Sequence, residues 1–155
     1  SKIPFDMLYG PAYKGIPLVT SIVIAFASIG RNIPFAFNRK EEKDHGEGGV
    51  IIGTPLKGKV LIVDDVISAG TSVNESVNLI LKEGAQPSGI AISIDREEKG
   101  SGVLSAVEEI KATHHLPICH LTSLKEIMRY IESNTTYASY IDAMRDYQKE
   151  YGIKT

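Results

Sequence analysis

Short apolar runs punctuate the chain at positions 5–9, 33–37, 59–63, 89–94 and 116–121. Each is rich in Ile, Val, Leu or Phe and of strand length, so each predicts a β-strand. Between and after them, hydrophobic positions recur at helical spacing. A first helix is predicted over 15–29. A second, over 72–83, places Val73, Val77, Ile80 and Leu81 on one stripe; Ser72 and Glu75 have capping-box spacing, and Gly84 is a natural stop. A third helix is predicted over 103–113, and a fourth starts at Ser123, with Glu126 three residues on as a second capping box. An amphipathic helix over 137–151 closes the pattern.

Strands alternating with helices predict βαβ units: an α/β fold with a central, mostly parallel sheet flanked by helices, in a single domain over 1–155. The stretch 16–29 is interrupted by Pro17, Thr20, Ser21 and Ser28 and is too short for a membrane span, so it is read as a buried helix. Segment 38–49 breaks the alternation. It is highly charged, contains Gly46, Gly48 and Gly49, and has no hydrophobic period, which predicts a long, exposed, mobile loop.

Composition narrows the function. Apolar residues make up 43% of the chain and the formal charge is −2. This balance disfavours general binding to nucleic acid or a membrane surface, which needs a basic excess. Cys119 is the lone cysteine, so no intrachain disulfide forms and a reducing, cytoplasmic setting is expected. Its apolar neighbours predict a buried, inert thiol.

The chemistry concentrates in Val60-Leu61-Ile62-Val63-Asp64-Asp65-Val66-Ile67-Ser68-Ala69-Gly70-Thr71-Ser72. An apolar strand runs into two carboxylates, then a turn of small residues, then a helix start. A helix N-terminus offers unpaired N–H groups to phosphate. Ala69 and Gly70 permit close backbone approach, and Thr71 and Ser72 add hydroxyls. Asp64 and Asp65 fall at the carboxyl end of a parallel strand, where α/β sheets bind ligands, and strand alternation sends them to different sides. The Gly-Lys-Ser/Thr of a Walker A loop is absent.

This run resembles the phosphoribosyl diphosphate (PRPP) signature of the type I phosphoribosyltransferases. The resemblance implies that fold. It also implies that Asp64 and Asp65 meet the ribose hydroxyls, that Ser68, Ala69, Gly70, Thr71 and Ser72 wrap the 5-phosphate, and that Val66 and Ile67 contact PRPP. Ser68 stands where many members have threonine, and the hydroxyl is retained.

Three further segments resemble the orotate phosphoribosyltransferases in particular. Gly10-Pro11-Ala12-Tyr13-Lys14-Gly15-Ile16-Pro17 is similar to their pyrophosphate-binding loop, which implies PRPP contacts from Tyr13 and Lys14 and a cis Ala12–Tyr13 peptide. Segment 37–49 resembles their mobile catalytic loop, which implies that Arg39, Lys40, Lys43 and His45 contact PRPP. Arg96 follows a strand; a guanidinium forks well onto a carboxylate, and in the family this arginine, with Ser68 near it, binds orotate.

The resemblance implies transfer of phosphoribose from PRPP to orotate, with Lys43, His45, Asp64 and Asp65 as the catalytic set. It implies Mg²⁺ as cofactor, carried mainly through PRPP with Asp64 or Asp65 contributing, and a homodimer whose loop 38–49 acts in trans. Family members carry an additional N-terminal region that hoods the base, and the early first strand suggests that this chain lacks it. Two alternatives are a phosphoribosyltransferase for another base and a non-catalytic PRPP sensor of the same fold. The second would need a basic nucleic-acid-binding face.

Overall fold

The computed structural model of the chain describes residues 2–40 and 49–153. Its elements are β1 (Met7–Gly10), α1 (Gly15–Ser28), β2 (Phe35–Asn38), β3 (Ile51–Gly53), β4 (Lys59–Asp64), α2 (Thr71–Lys82), β5 (Gln86–Asp95), α3 (Ala106–His114), β6 (Ile118–Ser123), α4 (Leu124–Glu132), a 3-10 segment (Thr135–Tyr140) and α5 (Ile141–Tyr151). The strands form one sheet in the order β3-β2-β1-β4-β5-β6. β1 is parallel to β2 and to β4, while β3 is antiparallel to β2. The fold is therefore the α/β class with a mostly parallel sheet and helices against it. No helix among the described residues is long and apolar enough to cross a membrane.

Two compact units divide the chain: Ser1–Asp65 with Thr71–Ala91, and Val66–Gly70 with Ile92–Thr155. In the first, β4 has Val60, Leu61, Ile62 and Val63 all buried. A strand apolar on both sides belongs inside a parallel sheet, covered on two faces. Leu8, Val19, Leu61 and Val63 form a core cluster against which Leu18, Ile22, Val23 and Phe26 of α1 pack. Each such side chain stabilises the fold by roughly 1.5–3 kcal/mol when fully buried.

The expectation of a buried first helix is only half met. Gly15 and Val19 are the fully buried residues of α1, while Ile24 is 64% and Ile29 68% exposed. The helix is apolar all round, but the sheet covers one side of it. α2 buries Val73, Val77 and Ile80 as predicted, whereas Leu81 lies off the buried stripe and is exposed. Gly84, with φ of 76°, ends the segment after α2, and Ala85 N–H closes back onto the Ile80 carbonyl at 3.0 Å.

The capping box expected at Ser72 is not formed. α2 begins one residue earlier, at Thr71, and the Ser72 hydroxyl donates instead to Asp64. β3 was not predicted; three residues are too few to show a period. In the second unit, the box at Ser123 and Glu126 forms as predicted. An unpredicted one at Ser105 and Glu108 starts α3 later than the pattern suggests. The closing segment is a 3-10 turn followed by α5 rather than one helix. Cys119 is half-buried, not buried, because much of β6 is exposed, Leu121 at 87%.

Candidate active site

In the first unit, the loop after β1 folds back tightly. A Cβ on Gly10 would lie 2.3 Å from the Gly15 carbonyl oxygen, and one on Gly15 would lie 2.8 Å from the Val63 carbonyl oxygen. Only glycine permits this approach at both ends of the loop. The Ala12–Tyr13 peptide is cis, as the resemblance implied. Ala12 N–H donates to Asn38 Oδ1 at 2.7 Å, which ties the loop to the end of β2. The Tyr13 ring is exposed, and the Lys40 ammonium lies 5.3 Å from its centroid. Lys14 reaches across to Asp65, with Nζ and Oδ2 at 2.8 Å.

The two aspartates at the end of β4 do face different partners. Asp64 is buried; it accepts from Asp65 N–H at 2.9 Å and from the Ser72 hydroxyl at 3.0 Å. Burial pushes its carboxyl above the ordinary value, against the pull of those two hydrogen bonds. Asp65 is half-buried and meets Lys14. A cavity beside these elements is lined by Pro11, Ala12, Asn38, Arg39, Thr71 and Ser72 among others. Arg39 Nε is buried and has no hydrogen-bond partner among the described residues. This side of the fold thus offers exposed or unpaired cationic donors around a helix start, chemistry suited to phosphate.

No group of three or more His, Cys, Asp or Glu that could cage a metal occurs among the described residues. The adjacent carboxylates Asp64 and Asp65 still suit a hard, oxygen-seeking ion that keeps most of its ligands from water and a bound phosphate. Mg²⁺ binds in that way, so the donor set fits.

In the second unit, the turn Val66–Gly70 exposes Ser68 and Ala69 and buries Ile67. The Ile67 side chain is therefore a core group, and a ligand could meet only its backbone. Arg96, just past β5, donates from Nη2 to Ser68 Oγ at 2.6 Å and to Glu98 Oε2 at 3.0 Å. Its Nε is buried and unpartnered among the described residues. Tyr147 of α5 donates its hydroxyl to Glu98 Oε1.

The structure thus brings Tyr13, Lys14, Lys40, Asp65, Asp64 and Ser72 into one linked set of contacts in the first unit, with Arg39 and Thr71 on the cavity beside them. Arg96 and Ser68 meet in the second, and Val66, Ala69 and Gly70 belong to the same turn as Ser68. Lys43 and His45, and most of the predicted loop 38–49, lie outside the described residues. Sequence reasoning missed Asn38 and Tyr147. Asn38 carried one signal, its position at the carboxyl end of a strand.

Comparison with known proteins gives a consistent result. A family model described as phosphoribosyl transferase domain matches residues 2–112. The orotate phosphoribosyltransferase of Chromobacterium violaceum is 56% identical over 153 residues, covering 99% of this chain and 72% of its own. The crystal structure of orotate phosphoribosyltransferase from Francisella tularensis superposes with a TM-score of 0.79 at 37% identity, over 98% of this chain and 70% of its own. The Mycobacterium tuberculosis orotate phosphoribosyltransferase in complex with PRPP matches with a TM-score of 0.64 at 25% identity, over 81% of this chain and 66% of its own.

Proposed function

The chain belongs to the phosphoribosyltransferase family, in its orotate phosphoribosyltransferase branch, and from that premise we infer how its residues convert orotate and PRPP into orotidine 5′-monophosphate and pyrophosphate. The reaction is a step of pyrimidine biosynthesis. The observation that carries the residue assignment is the 2.6 Å contact of Arg96 with Ser68. It joins the guanidinium suited to the orotate carboxylate to the turn suited to the 5-phosphate.

Pyrophosphate must leave the ribose C1 while positive charge grows on the sugar, and the base nitrogen bonds to that carbon with inversion. Asp64 and Asp65 hold the ribose hydroxyls, and Val66, Ile67, Ser68, Ala69, Gly70, Thr71 and Ser72 take the 5-phosphate through backbone N–H groups and hydroxyls. Tyr13, Lys14, Arg39 and Lys40 line up on pyrophosphate, with Lys43 and His45 joining them from the loop. The cations among them stabilise charge that develops only as the bond breaks, the kind of contact that accelerates the step most. Asp64 or Asp65, together with PRPP itself, would hold Mg²⁺, which would supply further neutralisation of the leaving group. Loop closure excludes water that would otherwise hydrolyse PRPP. The working unit is a cytoplasmic homodimer in which each loop serves the partner's site.

PRPP-dependent turnover by the native full-length protein, compared across orotate, adenine, hypoxanthine and uracil, tests the assignment. Turnover with orotate alone is expected. Preference for another base would reject the Arg96 assignment, and tight binding of RNA or DNA without turnover would favour a regulator.

A further inference from the structure

We propose that Tyr147, acting through Glu98, is a positioning residue for Arg96 and so helps set affinity for the base. The inference rests on the assignment of Arg96 to the orotate carboxylate. Arg96 Nη2 carries two N–H groups, and both are engaged, one by Ser68 at 2.6 Å and one by Glu98 at 3.0 Å. Those contacts fix the plane of the guanidinium and leave Nε and Nη1 as its other donors. Nε is buried without a partner among the described residues, so Nη1 is the donor left to meet a carboxylate from a set orientation.

Glu98 can hold Arg96 only if Glu98 is itself held. Its side chain is 16% exposed, with one oxygen on Arg96 and the other accepting from the Tyr147 hydroxyl. The hydrogen bond to Glu98 favours the neutral phenol and raises the Tyr147 pKa above its ordinary value. The same stretch is clamped from the backbone: Lys99 N–H donates to the Tyr151 carbonyl at 2.8 Å, and Glu98 pairs with Gly152. α5 therefore grips the segment that carries Arg96 at two points, one of them a side-chain relay. Arginine's rigid fork recognises a carboxylate best when its plane is fixed beforehand.

The test is steady-state kinetics in both substrates on the full-length enzyme. Tyr147→Phe keeps the ring, which packs 4.8 Å from Tyr151, and removes only the hydroxyl. It should raise the KM for orotate roughly three- to tenfold, the range of one modest hydrogen bond, and leave the KM for PRPP unchanged. Arg96→Lys should raise the orotate KM further, and adding Tyr147→Phe to it should change nothing more, because the relay no longer has a fork to orient. Glu98→Gln should reproduce the Tyr147→Phe pattern and serves as the readout if that variant folds poorly. An orotate KM that rises in Arg96→Lys but not in Tyr147→Phe or Glu98→Gln overturns the inference and leaves the base-site assignment intact. Equal rises in both KM values with a lower Tm, or additive effects in the double variant, also overturn it. An unchanged orotate KM in Arg96→Lys removes the base-site assignment, and the inference with it.

Discussion

Lys14 Nζ lies 2.8 Å from Asp65 Oδ2, linking the loop after β1 to the end of β4. The lysine side chain is 74% exposed, and an exposed pair of this kind contributes roughly 0–1 kcal/mol to stability. Under the proposed function its importance is as a site contact: the cation that rests on Asp65 is the one assigned to pyrophosphate. Lys14→Ala should leave the urea midpoint nearly unchanged and raise the KM for PRPP about tenfold or more, the effect of one charge-assisted hydrogen bond. A large stability loss with an unchanged PRPP KM would make the pair structural.

Gly10 is sterically committed. A Cβ there would meet the Gly15 carbonyl oxygen at 2.3 Å and Val19 Cγ1 at 2.7 Å, and backbone cannot move aside as a side-chain tip can. Gly10→Ala should destabilise the fold by roughly 1–3 kcal/mol, the usual effect of overpacking. It should also lower PRPP turnover by displacing the loop. Chemical denaturation followed alongside activity separates the two effects.

Glu109 gathers the turn before α3. It accepts from the N–H groups of Ser101 at 3.0 Å and Gly102 at 2.6 Å, and from the Ser101 hydroxyl at 3.0 Å. The Ser101 backbone bond, then that of Gly102, lowers its pKa below the ordinary 4.5. A lowered carboxylate contributes stability above the ordinary value and loses it as pH falls through the folded-state value. Glu109→Gln should therefore be less stable than wild type at neutral pH, with the gap closing as pH falls below 4.5. Urea midpoints across pH read this directly; a constant gap would rule out the charge as its source.

Loop action in trans predicts complementation. Lys43→Ala and Asp65→Asn, made separately in the full-length protein, should each give a nearly inactive homodimer, since one electrostatic contact of this kind contributes on the order of 10²–10³ in turnover. Equal mixing makes about half the dimers mixed, each with one intact site, so activity should return to roughly a quarter of wild type. Verified subunit exchange without recovery would mean that each loop serves its own subunit.

The sequence made visible whatever depends on near neighbours. The apolar run of β4, the stripe of Val73, Val77 and Ile80, and the box of Ser123 with Glu126 all follow from local spacing. Ser72 shows where that logic stops: local spacing made it a cap, but a carboxylate eight residues back offered its hydroxyl a better partner. The outward face of α1 was misread for a related reason, since composition reports what a helix could bury and not how many sides the fold covers. In the candidate site, Asp64 and Asp65 stood out because the motif is contiguous. Asn38 and Tyr147 were not, because their partners lie 26 and 49 residues away in the chain.

The position of β1 also shapes the order in which the molecule can be assembled. It is buried along its length and lies between β2 and β4, both of which leave the ribosome after it. Leu8 pairs with Phe35, but Met7 must wait for Val60. Closing the longer loop costs little more entropy than closing the shorter one, yet such non-local parallel pairing is slow. Among the strands of this sheet, β1 waits longest for its second neighbour. During synthesis, an apolar edge destined for the interior stays open to other chains.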